Sequence, residues 1–496
     1  MKISDKIFES KILEESYKKI LEIAKLIKIS GGKTLIVGGF IRDILFKQTP
    51  KDFDIEVYGL SAKNLEEILK KFGKVYDVGK TFGVLKISLP NDIEIDISLP
   101  RKDSKMGKGH RGFNVETYPD LNVKEAASRR DFTINSIAWN PLTEQIYDPF
   151  NGLKDLKSKI LRVTNSEKFG EDPLRAIRAL QFVARFELKI ETRTKKIIRN
   201  MIPQLKELPK ERFLEEWKKL FLRARKPSLG LIAGMELGIF AELYPEFSLL
   251  PKTQQDSEWH PEGDVWTHTL ICIDASANII RREKLDSKIG FVIMLSVFCH
   301  DFGKSFVTEK KENRIVSPNH QSAGIKPTKK FLNSIGTDNF TKDKVLRLVE
   351  NHLSPFTLYK SEFKKGEKIT DGAIRRLANR LHPATISELV LVAEADYLGK
   401  GTRRKVDYTF KSGRWLLNRA ASLRVKKNKP EDIVKGKDLL ALGFEASRKF
   451  GIIIELANYL RDEKKFTKNQ IIDVIKNLKN CDDVVEKLGF IKNENS

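Results

Sequence analysis

Asp52 and Asp54 stand two residues apart in KDFDIEV, a segment that reads as a β-strand. The two-residue period of a strand puts both carboxylates on one face, with Phe53, Ile55 and Val57 on the other. Neighbouring acids repel unless a cation lies between them. That is the requirement of two-metal phosphoryl transfer, in which Mg2+ ions bridge carboxylates and a triphosphate and activate an attacking hydroxyl. A second strand, IEIDISL, places Glu94 and Asp96 opposite Ile93, Ile95 and Ile97. Asp96 reads either as a third member of this site or as an exposed acid on a half-buried strand.

A glycine turn precedes the acids. In LIVGGFIRD, Leu35 to Asp43, an apolar strand runs through Gly38 and Gly39 into a helix start. Glycines let the backbone approach a ligand, and the helix N-terminus offers free N–H groups that suit phosphate. Arg42 is placed to reach the same phosphate. Two further glycine-bearing basic segments, GKTFG (Gly79 to Gly83) and GKGHRGF (Gly107 to Phe113), read equally as mobile elements that close on a ligand and as surface turns. His110 has no required role in a carboxylate-metal site.

A second constellation lies further on, where residues 259–400 hold six of the seven histidines. The candidate metal ligands are His268, His300, Asp301, His320, His352 and Asp396, in WHPEGDVWTHT, VFCHDFGK, PNHQSAG, ENHL and EADYLG. Neutral imidazole with carboxylate suits a transition metal such as Ni, Mn, Co or Zn. His260 and His382 receive no role.

The elements that must carry these residues are legible from periodicity. Residues 4–29 read as an amphipathic helix on Ile7, Ile12, Leu13, Ile20, Leu21 and Ala24. The next 120 residues alternate short apolar runs (TLIVGG, FDIEVYG, FGVLKISL, IEIDISL, INSIAW) with helical patches at 41–47 and 61–72. After about residue 165 nearly everything has helical period. In FGEDPLRAIRALQFVARF, Asp172 is expected as the N-cap and Pro173 as the first helical residue. Arg175, Arg178 and Arg185 then share one side, opposite Ile177, Leu180 and Ala184. The loop PKTQQDSEWHPEGD is the clearest candidate boundary.

Composition sets outer limits. A chain of 496 residues favours several domains, and its net charge of +24 favours a polyanionic partner, nucleic acid before membrane. Lysine-rich solvated faces account for part of that charge. Three widely spaced cysteines form no disulfide framework and fit a reducing cytoplasm. The N-terminus lacks the apolar stretch of a secretion signal. The longest apolar run, near Phe291 to Cys299, has about half the length of a membrane span. A buried core helix is expected there, and no membrane.

LIVGGFIRD, KDFD, SRRDFTINSIAW, YDPFNGLKDL and FGEDPLRAIRALQFVARF occur together over residues 33–245. In order and spacing they resemble the class II tRNA nucleotidyltransferase and bacterial poly(A) polymerase family. The resemblance implies that Gly39 and Arg42 hold a triphosphate and that Asp52 and Asp54 hold Mg2+. It implies that Arg130, in the Arg129-Arg130-Asp131 motif, contacts the nucleotide, and that Asp131 helps select ribose. Glu171, Asp172 and Arg175 match the family's base-reading motif, with Arg178 one turn on; in that motif protein side chains replace a template. The order His268, His300-Asp301, Asp396 resembles the HD phosphohydrolase superfamily. His320 and His352 resemble the extra histidines of its two-metal subset.

Together these resemblances imply an α+β protein. A small mixed-sheet, polymerase-beta-like nucleotidyltransferase head is expected at 31–165, after an N-terminal helix at 1–30. An all-α neck at 166–250, an HD domain at 255–400 and a tRNA-binding helical tail at 405–496 follow. The implied activity is CCA addition to tRNA from CTP and ATP, with hydrolysis of 2′,3′-cyclic phosphates or phosphomonoesters at the HD site. A poly(A) polymerase or a partial CC- or A-adding enzyme shares the same transferase motifs. A phosphohydrolase with an RNA-binding N-terminal half predicts a damaged carboxylate pair, and the pair is intact.

Overall fold

Strand alternation and glycine punctuation build the expected α+β head in the computed structural model. The structure describes residues 3, 11–48, 50, 53–79, 84–89, 93–105, 113–400 and 409–493. Asp52, residues 4–10, most of GKTFG and nearly all of GKGHRGF with His110 lie outside them. The chain divides into two compact units, Met1–Pro245 and Glu246–Ser496.

The first unit is organised on β1 (Lys33–Val37), β2 (Asp54–Tyr58), β3 (Lys74–Gly79), β4 (Val84–Leu89) and β5 (Ile93–Ser98). A separate hairpin pairs β6 (Arg101–Lys105) with β7 (Phe113–Thr117), and β8 (Ala138–Trp139) and β9 (Ile146–Tyr147) complete the main sheet. Its order is β3-β4-β5-β2-β1-β8-β9. Among the described residues of this sheet, only β2 and β5 pair in parallel, and their register sets Asp54 opposite Asp96. Ile55, Val57, Ile95 and Ile97 are buried, while Asp54 is exposed. The amphipathic helix is Lys11–Ile29; it buries Ile20, Ile23, Ala24 and Ile27 and stacks Tyr17 on Trp139 of β8.

INSIAW corrects the strand expectation. Thr133–Asn135 is a 3-10 turn, and only Ala138–Trp139 pairs. Thr133 donates to Asp155, and Asn135 donates to Asp131. These side-chain bonds hold the backbone in a turn instead of a ladder. The neck helix also starts later than expected. It runs Leu174–Phe186 with Pro173 at the N-cap, although the Asp172 carboxylate still accepts from the Leu174 N–H.

In the second unit Phe247 packs against Phe298, Phe302 and Phe331. The all-helical expectation fails at one hairpin, Glu309–Lys311 with Arg314–Val316. Glu312 and Asn313 both take positive φ there, the backbone of a tight two-residue turn. The apolar helix Ser287–Cys299 is buried from Gly290 to Cys299. With its continuation it makes one stretch, Ser287–Val307, long and apolar enough to cross a membrane. That stretch is 83% buried inside the fold, the pattern of a core helix. A separate cluster that includes Val434, Leu439, Ile453, Leu460, Ile471 and Leu488 forms the core of the C-terminal helices.

Candidate functional site

In the first unit a cavity of about 400 Å3 opens where β2, the glycine turn and the neck helices meet. Gly38 and Gly39 form one wall and Asp54 stands beside them. Gly38 takes φ 74°, and a Cβ there would lie 2.8 Å from an Asp54 carboxylate oxygen and 3.1 Å from Arg130. The turn therefore needs glycine for its dihedral and for its space. Gly39, which the resemblance names, is also tight, since a Cβ there would lie 2.9 Å from Arg42 Nη2; Gly38 adds the positive φ.

The remaining walls are basic. Among the described residues nine cations line the cavity (Arg42, Arg129, Arg130, Arg175, Arg178, Arg185, Arg212, Lys219, Arg223) against three carboxylates, Asp54, Asp131 and Asp172. This excess makes a positive concavity suited to a triphosphate. Arg212, Lys219 and Arg223 come from the helix Lys210–Arg223, whose opposite side buries Phe213, Trp217 and Leu220. Their i, i+7, i+11 spacing was the available sequence signal.

The arginines are held in place by buried acids. Glu56, two residues beyond Asp54 and 2% exposed, accepts from Arg129 at 2.7 Å, Arg130 at 3.0 Å and the Tyr58 hydroxyl at 2.9 Å. Burial alone raises its pKa, but the charges of Arg130 and Arg129 outweigh it and hold the carboxyl below its ordinary value. Asp131 accepts from Arg178 Nε at 2.8 Å, Asn135 Nδ2 at 2.7 Å and the Phe132 N–H at 2.8 Å. Arg42 bonds Asn135 and Asp43. Arg175 donates to the carbonyls of Lys168 and Arg129, and Asp172 pairs with Arg212 at 3.0 Å. Burial, then Arg42, pulls Arg185 down to about 10. Asp96 remains half exposed, with Lys86 3.6 Å away.

The second unit gathers all six candidate ligands. An Asp264 N-cap starts the helix Val265–Arg282 and sets His268 one turn in. His300 and Asp301 follow the buried helix Ser287–Cys299, His352 caps Asn339–Asn351, and Asp396 lies on Ile386–Gly399. One Asp301 oxygen lies 3.2 Å from His300 Nε2 and 3.7 Å from His268 Nε2. The other lies 3.3 Å from His320 Nε2 and 4.0 Å from His352 Nε2. Asp396 is 3.1 Å from His268 Nε2. Asp301 thus stands between two sets of donors.

These residues fit metal ions. His300 Nε2 and Asp301 Oδ2 are buried and make no hydrogen bond among the described residues; their contacts are ion pairs, His300 with Asp301 at 3.2 Å and Asp301 with Lys304 at 2.7 Å. Burial raises Asp301 and Asp396, yet His300 and Lys304 for the first, and the His268 bond and Lys400 for the second, hold both well below the carboxylate range. Burial, then His300 and His320, pushes His352 down to about 3, so its imidazole is a neutral donor. The Nδ1 atoms of His300, His320 and His352 each face a backbone carbonyl, which leaves Nε2 for an ion.

Sequence reasoning missed three groups here, Glu262, Lys304 and Cys272. Glu262 Oε1 lies 2.7 Å from His268 Nδ1 and 2.9 Å from His260 Nδ1, so the boundary loop also lines the site. Lys304 pairs with Asp301 at 2.7 Å and donates to Gln255. Cys272 lies 3.3 Å from His268 Nε2. His382, by contrast, appears in none of the clusters of candidate metal ligands found among the described residues.

Two family models match within residues 34–250. Residues 34–162 match the family described as the poly A polymerase head domain. Residues 187–250 match a probable RNA and SrmB-binding site of polymerase A. The multifunctional CCA protein of Xylella fastidiosa (strain 9a5c) is 30% identical over 389 residues, 76% of this chain and 86% of that protein. The chain belongs to the multifunctional CCA protein family. The relative from Pasteurella multocida (strain Pm70) is 29% identical over 85% of this chain and 96% of its own length. Among solved structures, the Bacillus stearothermophilus CCA-adding enzyme in complex with CTP aligns at TM-score 0.61 and 20% identity, covering 90% of this chain and 93% of that one. The Thermotoga maritima CCA-adding enzyme complexed with tRNA aligns at TM-score 0.54 and 16% identity, over 99% and 98% of the two chains. The fold found here is thus that of these CCA-adding enzymes.

Proposed function

We propose that this chain adds CCA to tRNA 3′ ends without a nucleic-acid template, using CTP and ATP, in a reducing cytoplasm where its three cysteines stay free. The 3′-hydroxyl attacks the α-phosphorus and pyrophosphate leaves. Asp52 and Asp54, with Asp96 in register beside Asp54, hold Mg2+. Gly38, Gly39 and Arg42 seat the triphosphate, Arg130 and Asp131 contact the nucleotide, and Asp172, Arg175 and Arg178 face the base. The observation that carries this reading is the placement of Asp54 at the mouth of an arginine-lined cavity shared with Asp172 and Arg175. The five-part division, from N-terminal helix to tRNA-binding tail, belongs to the same proposal.

The test uses tRNA transcripts ending before CCA, after C and after CC, with CTP, ATP or both. Ordered incorporation that stops after A is expected. Long A tracts, or no incorporation, would sink the reading.

We further propose that the second unit is a metal-dependent phosphohydrolase of 2′,3′-cyclic phosphates or phosphomonoesters. Bound transition-metal ions supply a nucleophilic hydroxide near neutral pH. His268, His300, Asp301, His320, His352 and Asp396 hold them. Metal-dependent hydrolysis of 2′,3′-cAMP that is lost in Asp301→Ala, while Asp54→Ala loses only nucleotide addition, is the expected result. Hydrolysis that survives Asp301→Ala removes the assignment.

A further inference from the structure

Cys272 has no place in the H…HD…D pattern, yet it is one of the donors around His268. It lies four residues beyond His268 on the helix Val265–Arg282, so both side chains share one face. The thiol is fully buried, and its Sγ is 3.3 Å from His268 Nε2. Donor atoms of His268, Cys272, His300 and Asp396 all lie within 4.8 Å of one another. Nitrogen, oxygen and sulfur ligands sit about 2.0–2.3 Å from zinc, so two ligands of one ion lie at most about 4.6 Å apart; Cys272 Sγ and Asp396 Oδ1, 3.3 and 3.1 Å from His268 Nε2, fall inside that span. The buried Nε2 of His300, which makes no hydrogen bond among the described residues and has Asp301 Oδ2 3.2 Å away, belongs to this same group.

Gly399 keeps the sulfur there. A Cβ at that position would lie 2.1 Å from Cys272 Sγ and 3.2 Å from His268 Cε1. The helix Ile386–Gly399 thus closes directly over the thiol. The set around Asp301, His320 and His352 contains only nitrogen and oxygen donors.

We propose that Cys272 ligates the ion held by His268, His300 and Asp396, and that it directs this half of the centre to a thiophilic ion such as Zn2+. The inference rests on the metal-centre reading above. On binding, the S–H proton passes to solvent, a sulfur–metal bond forms and no electron is transferred. Soft thiolate favours zinc over magnesium and manganese, whereas a site of imidazole and carboxylate alone discriminates less.

The test loads the metal-free, full-length protein with Co2+ and reads its absorption spectrum. Visible ligand-field bands together with a near-ultraviolet thiolate-to-cobalt charge-transfer band are expected. Cys272→Ser loses the charge-transfer band, keeps Co2+ binding, and binds Zn2+ at least about tenfold more weakly relative to Mn2+. Cys481→Ser keeps the band. Zinc-edge X-ray absorption of the unmutated protein is the second measurement, with one sulfur scatterer expected near about 2.3 Å. If Co2+ fails to bind, the metal-centre reading falls together with this inference. If Co2+ binds without the charge-transfer band, if the band survives in Cys272→Ser or vanishes in Cys299→Ser, or if zinc shows only nitrogen and oxygen neighbours, the inference alone falls.

Discussion

Arg178 donates from Nε to Asp131 at 2.8 Å, joining the segment before the Thr133–Asn135 turn to the helix Leu174–Phe186 across 47 residues. Asp131 is 6% exposed and also accepts from Asn135 and the Phe132 N–H. The Asp131 charge raises Arg178 above its ordinary pKa and outweighs burial. Removing one partner of a buried ion pair costs about 3 kcal/mol, because the other charge stays behind. Asp131→Ala is therefore expected to lower the stability of the first unit by about that amount in urea denaturation. The near-isosteric Asp131→Asn keeps the fold but lowers kcat/KM for CTP. Wild-type kcat/KM in Asp131→Asn would show that Arg178 needs no anchor.

Gly38 tests the tightness of the turn. Alanine there meets both the positive φ and the 2.8 Å approach to Asp54. Backbone strain of this kind costs about 1–3 kcal/mol, enough to shift the turn or the carboxylate. Gly38→Ala is expected to lose at least about tenfold in single-turnover CTP incorporation, since 1.4 kcal/mol corresponds to tenfold in rate. Gly443, whose added Cβ would meet nothing within 4 Å, provides the comparison for strain without a neighbouring acid.

Glu56 predicts a pH dependence of stability. Its folded pKa is depressed, so it contributes stability above the unfolded value of about 4.3, and that stability is lost as pH falls through the folded value. The urea midpoint of the first unit is expected to fall as the pH drops below about 4.3, the unfolded value. Glu56→Gln lowers the midpoint at pH 7 and flattens the acid slope. An unchanged slope would assign the acid sensitivity to other carboxylates.

Glu262 acts on the metal centre through His268. Its oxygen receives His268 Nδ1, which fixes the tautomer with Nε2 free for metal. Removal of such outer partners weakens metal affinity by about 10–100-fold. Glu262→Gln is expected to do so in a calorimetric titration with Zn2+ while CCA addition is unchanged. Unaltered zinc affinity would reduce Glu262 to a packing residue.

Much of both sites was legible because their chemistry is written locally. Two acids at strand period, a glycine pair before a helix and a histidine-aspartate pair after an apolar run need only near neighbours to be recognised. The arginine face of Leu174–Phe186 followed from helical period alone. What the chain concealed was the partner of each group. Glu56 looks like one more alternating residue until β2 carries it beneath Arg129 and Arg130. Asn135 looks like part of a strand until side-chain bonds turn the backbone there. Arg212, Lys219 and Arg223 reach the cavity only because their helix buries Trp217 on its other side.

The sequence by itself determined the α+β class, the strand that carries Asp54 and which residues are candidates for metal ligation. Only the tertiary structure decided that Asp96 stands in register with Asp54 and that Asp301 divides the second site into two sets of donors. It alone brought Glu262 and Cys272 to His268. The reason is physical. Local period fixes which face a side chain occupies, but the pairing of faces depends on register and close packing between segments far apart in the chain.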